Sequence, residues 1–288
     1  MWKTKQKGFL KLFSTLIIAY SFICAILFFL QQRFIFIPTH SFQKTPAFYK
    51  INYKNIYLPV PKHLGGGLIH GWWMPAKKSN LGTLLYLHGR GLNIGSNVNQ
   101  AYRFQQLGFS VLLIDYRGYG QSQGNFPTES QLYQDAEMAW NYLVKQQTIP
   151  ADKILIYGHS LGSAVAIELA IKHPEAAGLI VQSSFTSMAD MIAIYPYFRS
   201  FPIGLILTNR FDSINKVKSL RIPVLFVHGI ADPMIPHTMS EKLYKAAPYP
   251  KQLLLIPGAK HNNGDLFFNT NQYRKAIQNF ANLSLKLP

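Results

Sequence analysis

The sequence predicts an α/β fold: a mainly parallel central sheet with helices on both faces, a small insertion over one rim, and an apolar N-terminal helix. Three observations predict it. Short uncharged apolar runs alternate with longer segments of helical spacing, the pattern of strands buried on both faces and joined by crossover helices. Several runs end in glycine-containing turns that carry chemically active side chains, where open α/β sheets hold their ligands. Residues 12–30 form nineteen positions without a charge.

Lys3, Lys5, Lys7 and Lys11 precede that uncharged run. At about 1.5 Å per residue, the run nearly spans the roughly 30 Å hydrocarbon core of a bilayer. Trp2 and the Gln31-Gln32-Arg33 stop would sit near the two interfaces. A cleaved signal peptide is the alternative, but the run is long for one and no small-x-small site closes it. The positive-inside rule puts the lysines in the cytoplasm, while Arg33, Lys44 and Lys50 on the far side argue the other way. The expected organisation is a cytoplasmic basic tail and transmembrane anchor at 1–33, a juxtamembrane linker at 34–50, and a catalytic domain at 51–288. Phe34 to Pro38 would lie along the bilayer or tuck against the domain. The expected location is a single-pass membrane protein with its catalytic domain extracytoplasmic, periplasmic in a Gram-negative cell.

Charge is uneven. The formal net charge is +17, yet residues 1–114 carry thirteen of the 29 Lys/Arg and none of the 12 Asp/Glu. A basic surface beside an apolar anchor suits anionic membrane lipids. Nucleic acid is the competing partner, but no recognition motif accompanies the charge. Cys24 is the single cysteine, which excludes an intrachain disulfide and any metal cluster built on several cysteines.

In chain order, residues 51–60 and 67–74 read as two strands around the Gly65-Gly66-Gly67 turn. Strands follow at 84–87 and 111–114, with a helix between them at 98–107. A helix at 129–146 carries an apolar stripe, with Thr128 and Gln131 spaced as a capping box. Strand 154–157 leads into helix 161–172, and strands 178–181, 224–227 and 253–256 are separated or followed by helices at 238–246 and 270–283. The stretch 185–222, rich in Met, Ile, Phe and Tyr, breaks this rhythm and reads as a small cap.

Gly158-His159-Ser160-Leu161-Gly162 follows strand 154–157 and precedes a helix start of small residues. This is G-x-S-x-G in the strand–turn–helix context of a nucleophile elbow. The turn lifts the serine hydroxyl above the sheet edge, and the two glycines leave room where side chains would collide. A serine needs a base, and the order serine, aspartate, histidine is met by Asp232 after strand 224–227 and His261 after strand 253–256. Asp265, just beyond His261, suits a capping role better than the triad. His40, His63, His173 and His237 read as surface or loop residues. His70 is a non-catalytic strand residue. His88 and His228 end core strands and are expected to be satisfied by backbone contacts, and His159 orients the nucleophile loop.

An oxyanion hole requires two N–H donors: Leu161, after the nucleophile, and Arg90 in the loop after strand 84–87, with Gly91 as fallback. Gly91, His159, Met188 and Ile192 are candidate substrate contacts. Met188, Met191, Ile192, Ile194, Tyr195, Phe198, Phe201, Ile203 and Leu205 are candidates for an acyl pocket, or else ordinary core or membrane-facing surface. No metal and no organic cofactor is required, because the triad and two N–H groups complete the chemistry.

Eight ordered blocks carry a resemblance. They are Phe36-Ile37-Pro38, Tyr86-Leu87-His88-Gly89, the run from Asp115 to Ser122 (D-Y-R-G-Y-G-Q-S), and the elbow at 158–162. The others are Ser184-Phe185-Thr186-Ser187, Arg210-Phe211-Asp212-Ser213, His228-Gly229 with Asp232, and Pro257-Gly258-Ala259 with His261-Asn262. From about residue 34 onward the chain resembles the Bem46-like branch of the α/β-hydrolase superfamily, which includes α/β-hydrolase-domain proteins twelve, thirteen and seventeen. That resemblance implies a membrane-associated serine hydrolase of the α/β-hydrolase fold. It also implies a triad of Ser160, Asp232 and His261, and an acyl substrate such as a lipid or a lipidated protein. Relatives usually carry asparagine where this chain has Arg90, which keeps the backbone donor but changes the side chain. Hydrolysis of an ester or thioester leads. A serine peptidase or amidase, and a non-catalytic membrane-tethered binding protein, are the alternatives.

Overall fold

The computed structural model describes residues 2–77, 81–262 and 264–285. The side chains of residues 2–5 and of Asp265 lie outside that description, and with them the readings made of Trp2, Lys3, Lys5 and Asp265.

The chain opens with one long helix, α1 (Trp2–Ile35), followed by the short strand β1 (Ile37–Pro38). The hairpin β2 (Lys54–Pro59) and β3 (Leu68–Met74) turns through Gly65, Gly66 and Gly67. All three glycines have positive φ, which residues with a Cβ adopt only at a cost. Then come β4 (Thr83–Leu87), β5 (Gly91–Leu92), α2 (Val98–Gln106), β6 (Ser110–Ile114) and α3 (Glu129–Asn141). The Thr128 hydroxyl accepts from Gln131 N–H at 3.3 Å and the Gln131 side chain accepts from Thr128 N–H at 3.0 Å, so the capping box forms. β7 (Ile154–His159), α4 (Leu161–Lys172) and β8 (Gly178–Gln182) follow. The insertion contains α5 (Met188–Ala193), α6 (Ile203–Ile206) and α7 (Ser213–Lys216). The chain closes with β9 (Val224–Gly229), α8 (His237–Ala246), β10 (Lys251–Ile256), α9 (Gly264–Asn269) and α10 (Asn271–Ser284).

The main sheet has eight strands in the order β10-β9-β8-β7-β4-β6-β3-β2. The first six of these run parallel; β3 and β2 are antiparallel additions at one edge. Every residue of β4, β6, β7 and β8 is buried, so these strands need no polar alternation. Ile156, Val181 and Phe226 face one side, where α3, α4 and α8 pack; Tyr157, Ile180 and Leu225 face the other, against α2 and α10. The parallel strands end at one rim, and the functional loops collect there.

Segment 34–50, expected as a linker, is folded onto the domain. β1 pairs with β5 in parallel, and Phe36 is fully buried with its ring edge-on to Phe211. α1 is docked at its C-terminal end. Gln31 Oε1 accepts from Thr208 N–H at 2.9 Å, Asn209 N–H at 3.2 Å and both side chains, while its Nε2 donates to Ile206 O at 3.1 Å. Further up, the Tyr20 hydroxyl donates to Ser200 O at 2.7 Å and its ring stacks on Phe201 at 5.7 Å. Along most of its length α1 stays exposed. Among the described residues, one helix, over Gln6–Ile35, is long and apolar enough to cross a membrane.

Gln31→Leu leaves the donors of Thr208 and Asn209 without their acceptor in a buried position. The expected cost is about 1–3 kcal/mol, read in detergent as a lower Tm and earlier proteolysis near 206–209. An unchanged Tm and cleavage pattern would refute the docking role.

Candidate active site

β7 delivers Ser160 to the rim of the sheet and α4 begins at the next residue. Ser160 sits at φ 55°, ψ −123°, a conformation of order 1–3 kcal/mol above the favoured regions. The neighbourhood holds it there. Ser160 N–H donates to Gln182 O on β8 at 2.9 Å, and Ser163 N–H donates to Ser160 O at 3.0 Å. A Cβ at Gly158 would strike Gly162 O and Ser163 Cα, and one at Gly162 would strike the carbonyls of Leu87 and His88. Both glycines are required by close approach.

The Ser160 hydroxyl donates to His261 Nε2 at 2.9 Å, and His261 Nδ1–H donates to Asp232 Oδ2 at 2.7 Å. Asp232 Oδ1 accepts from Met234 N–H at 2.8 Å and Ile235 N–H at 3.0 Å. Burial alone would raise the Asp232 carboxyl. The hydrogen bonds from His228, His261 and Ile235 N–H outweigh it and hold the group far below the ordinary carboxylate range. His228, expected to be satisfied by the backbone, does more: its Nε2 faces Asp232 Oδ2 at 3.1 Å and Ile235 O at 3.0 Å, and Nδ1 accepts from the Ser240 hydroxyl at 2.6 Å. The i, i+4 spacing of His228 and Asp232 is the sequence signal for this contact. His159 Nε2–H donates to His261 O at 3.2 Å. Burial first, then the nearby His261, pushes His159 down to about 3, so it is neutral with its proton on Nε2.

The loop after β4 passes directly over Ser160. A Cβ at Gly89 would lie 3.2 Å from Ser160 Cβ. Arg90 O accepts from the Tyr119 hydroxyl at 2.6 Å and from Ile37 N–H at 3.0 Å, which fixes the loop from two sides. Beneath it, buried Asp115 accepts from Ile94 N–H at 2.9 Å, with His70 and His88 at 3.8 and 3.7 Å. Among the described residues no backbone acceptor takes the N–H of Arg90 or Leu161. The Arg90 guanidinium is exposed and reaches Phe34 O at 3.3 Å.

Two cavities meet at Arg90, Ser160, Met234 and His261. The first, about 390 Å³, is apolar and lined by cap residues that include Met188, Met191, Ile192, Tyr195, Phe198 and Ile203. Leu27, Gln31, Phe34 and Ile35 of the N-terminal region supply a further part of its wall, which sequence reasoning missed. Ile194 and Leu205 do not line it and are exposed; Phe201 turns to Tyr20. The second cavity, about 500 Å³, borders Gly91 and His159 together with Asn97, Gln100 and Gln182. Among the described residues no group of three His, Cys, Asp or Glu side chains is arranged to hold a metal ion.

The chain is similar to known proteins in sequence and in fold. Residues 78–207 match a family model described as serine aminopeptidase, S33. An uncharacterised Mycobacterium tuberculosis protein is 37% identical over 203 residues, 70% of each chain. Protein bem46 of Schizosaccharomyces pombe is 36% identical over 200 residues, covering 65% of this chain and 64% of its own. A Pyrococcus furiosus esterase superposes with TM-score 0.68 at 18% identity, over 85% of this chain and 96% of its own. The chain belongs to the α/β-hydrolase superfamily. This α/β-hydrolase is an enzyme of the serine-hydrolase type.

The buried neutral His159 sets a pH dependence in this α/β-hydrolase. Folded, it stays unprotonated down to about pH 3; unfolded, it takes a proton below about 6.5. The unfolded state therefore binds more protons between those values, and stability falls as pH drops through that window by up to about 1.4 kcal/mol per unit. His159→Gln should flatten the Tm–pH curve between pH 6 and 4. Parallel curves for variant and parent would contradict it.

Proposed function

We propose that this protein is a membrane-anchored hydrolase that cleaves a carboxylic ester or thioester of an acyl substrate through an acyl-enzyme. The observation that carries the reading is the apolar cavity on the Ser160 hydroxyl, built jointly by the cap and the N-terminal helix. Ser160 Oγ attacks the acyl carbon as His261 Nε2 takes its proton; the N–H groups of Arg90 and Leu161 hold the tetrahedral oxyanion. His261, oriented by Asp232, returns the proton to the leaving group. Water then attacks the acyl-enzyme by the same route and frees the acid.

The exposed apolar flanks of α1, including Phe9, Leu16, Ile18, Phe22 and Phe29, support the anchor. Tyr197 and Leu205 on the cap are exposed too, at 65% and 83%, and add apolar surface. The orientation proposed is a cytoplasmic N-terminus with the catalytic domain across the membrane. Confinement to a bilayer brings the site to lipids or lipidated proteins.

A peptidase reading draws on the matched family description and on a M. tuberculosis puromycin-hydrolysing peptidase, which superposes with TM-score 0.62 at 16% identity over 83% of this chain and 40% of its own. An aminopeptidase must hold a substrate ammonium. Among the described residues lining either cavity there is no Asp or Glu to do so, which favours the ester or thioester.

A fluorophosphonate probe should label the purified protein in detergent, and Ser160→Ala should abolish labelling without changing Tm by more than a few degrees. On p-nitrophenyl esters kcat/KM should rise with acyl length up to a medium or long chain, and Ile192→Trp should shift the optimum to shorter chains. Labelling that survives in the alanine variant, or a preference for acetate over longer acyl groups, would overturn the proposal. Alkaline carbonate should leave the protein in the membrane pellet, and release to the supernatant would refute the anchor.

A further inference from the structure

The depth of the cap follows from where α1 meets it. The uncharged run of α1 extends from Leu12 to Leu30. Tyr20 lies about 12 Å along the axis from the first and about 15 Å from the second, near the middle of the run. Its hydroxyl donates to Ser200 O, and its ring stacks on Phe201. Ring contacts continue from there into the cap: Phe201 to Phe198 at 6.4 Å, then Phe198 to Tyr197 at 4.7 Å. The cap segment 194–205 is thus held beside the middle of the helix, not at its end. With the cap in water, α1 could enter a bilayer only beyond Tyr20. The uncharged residues left, Leu12 to Ala19, would cover about 12 Å of a hydrocarbon core roughly 30 Å thick. Phe22 and Phe29, 66% and 76% exposed, would face water as well. Neither difficulty arises when the cap shares the hydrocarbon with the helix.

The segment suits that medium. From 194 to 205 it carries one charge, Arg199, and an arginine stem is long enough to carry its guanidinium toward the headgroups. Ile194, Tyr195, Tyr197 and Leu205 are exposed. Hydrocarbon offers no water to an unpaired backbone group, so a chain within it must satisfy its own. Pro196 and Pro202 have no N–H to satisfy. Phe198, Phe201, Ile203 and Leu205 donate theirs to carbonyls within the segment. Ser200 is itself exposed, yet its carbonyl is taken by Tyr20.

We propose that cap segment 194–205 is immersed in the bilayer, with lipid acyl chains covering its apolar surface. The inference rests on the reading of α1 as a membrane-spanning anchor, and goes beyond it by placing part of the catalytic domain inside the membrane. Tyr195, Phe198 and Ile203 also line the cavity at Ser160. The immersed segment is therefore the partition between that cavity and the bilayer interior, and the cavity borders the hydrocarbon in which acyl chains lie.

The test uses the full-length protein carrying Cys24→Ser, reconstituted in vesicles of phosphatidylcholine and phosphatidylglycerol. Single cysteines enter as Tyr197→Cys, Leu205→Cys and, as a control on the exposed face of α8, Lys242→Cys. Each is labelled with an environment-sensitive fluorophore, and an unchanged Tm in detergent shows that the variant is folded. Phosphatidylcholine spin-labelled midway along its acyl chain should quench most of the emission at 197 and 205 and leave that at 242 nearly unchanged. Stronger quenching at 197 and 205 by a headgroup spin label than by the chain label puts the cap at the membrane surface and overturns the proposal. So does an absence of quenching at both positions in a protein that alkaline carbonate leaves in the membrane; the anchor then stands and the immersion does not. Release by carbonate removes the anchor itself, and the immersed cap falls with it.

Discussion

The structure depends on the closeness with which α4 meets the strand ends. Gly162 lies against the carbonyls of Leu87 and His88, and Gly158 against Gly162 and Ser163, so neither position has room for one more carbon. That contact welds β7, α4 and the end of β4 into a single unit. It holds Ser160 at positive φ, brings Gly89 over the serine, and sets Arg90 and Leu161 as neighbouring sources of N–H. The strain at Ser160 is sustained by backbone bonds to β8 and α4, which the neighbouring strands already require.

The same rim gathers two further strand ends. Asp232 and His261 reach the serine because β9 and β10 lie in register beside β8, with Gly229 opposite Ile256. The aspartate is not a lone carboxylate waiting for a histidine. It is clamped by the two N–H groups that follow it and by His228, and that clamping keeps it ionised. A fixed negative charge beside Nδ1 orients the His261 ring.

Much of this was legible because it is local. The elbow is five consecutive residues; the capping box at Thr128 is four; the strands announce themselves as uncharged runs. Asp232 and His261 stood out because each follows such a run by a few residues. What escaped was non-local. Gln31 reads as part of a polar stop after an apolar helix, and nothing nearby reveals four donors on Thr208 and Asn209, about 177 residues away. Segment 34–50 has no strong periodicity, and its fold comes from pairing with β5. Gln100 and Gln182 look like ordinary polar residues at the ends of elements. Only the edge-on packing of Tyr86 against Tyr157 and the placement of Tyr273 turn them into one network.

The bond between Tyr20 and Ser200 has a practical bearing. Tyr20 lies eleven residues before Gln31, about 16 Å along the helix axis, and α1 and the cap touch at both points. The helix is therefore a wall of the apolar cavity beside Ser160. Trimming the chain ahead of Phe36 to obtain a water-soluble fragment would remove Leu27, Gln31, Phe34 and Ile35 from that cavity. Such a fragment would keep Ser160, Asp232 and His261 and lose the shape of the cavity that opens onto them. A chain-length profile recorded on it would describe a different enzyme.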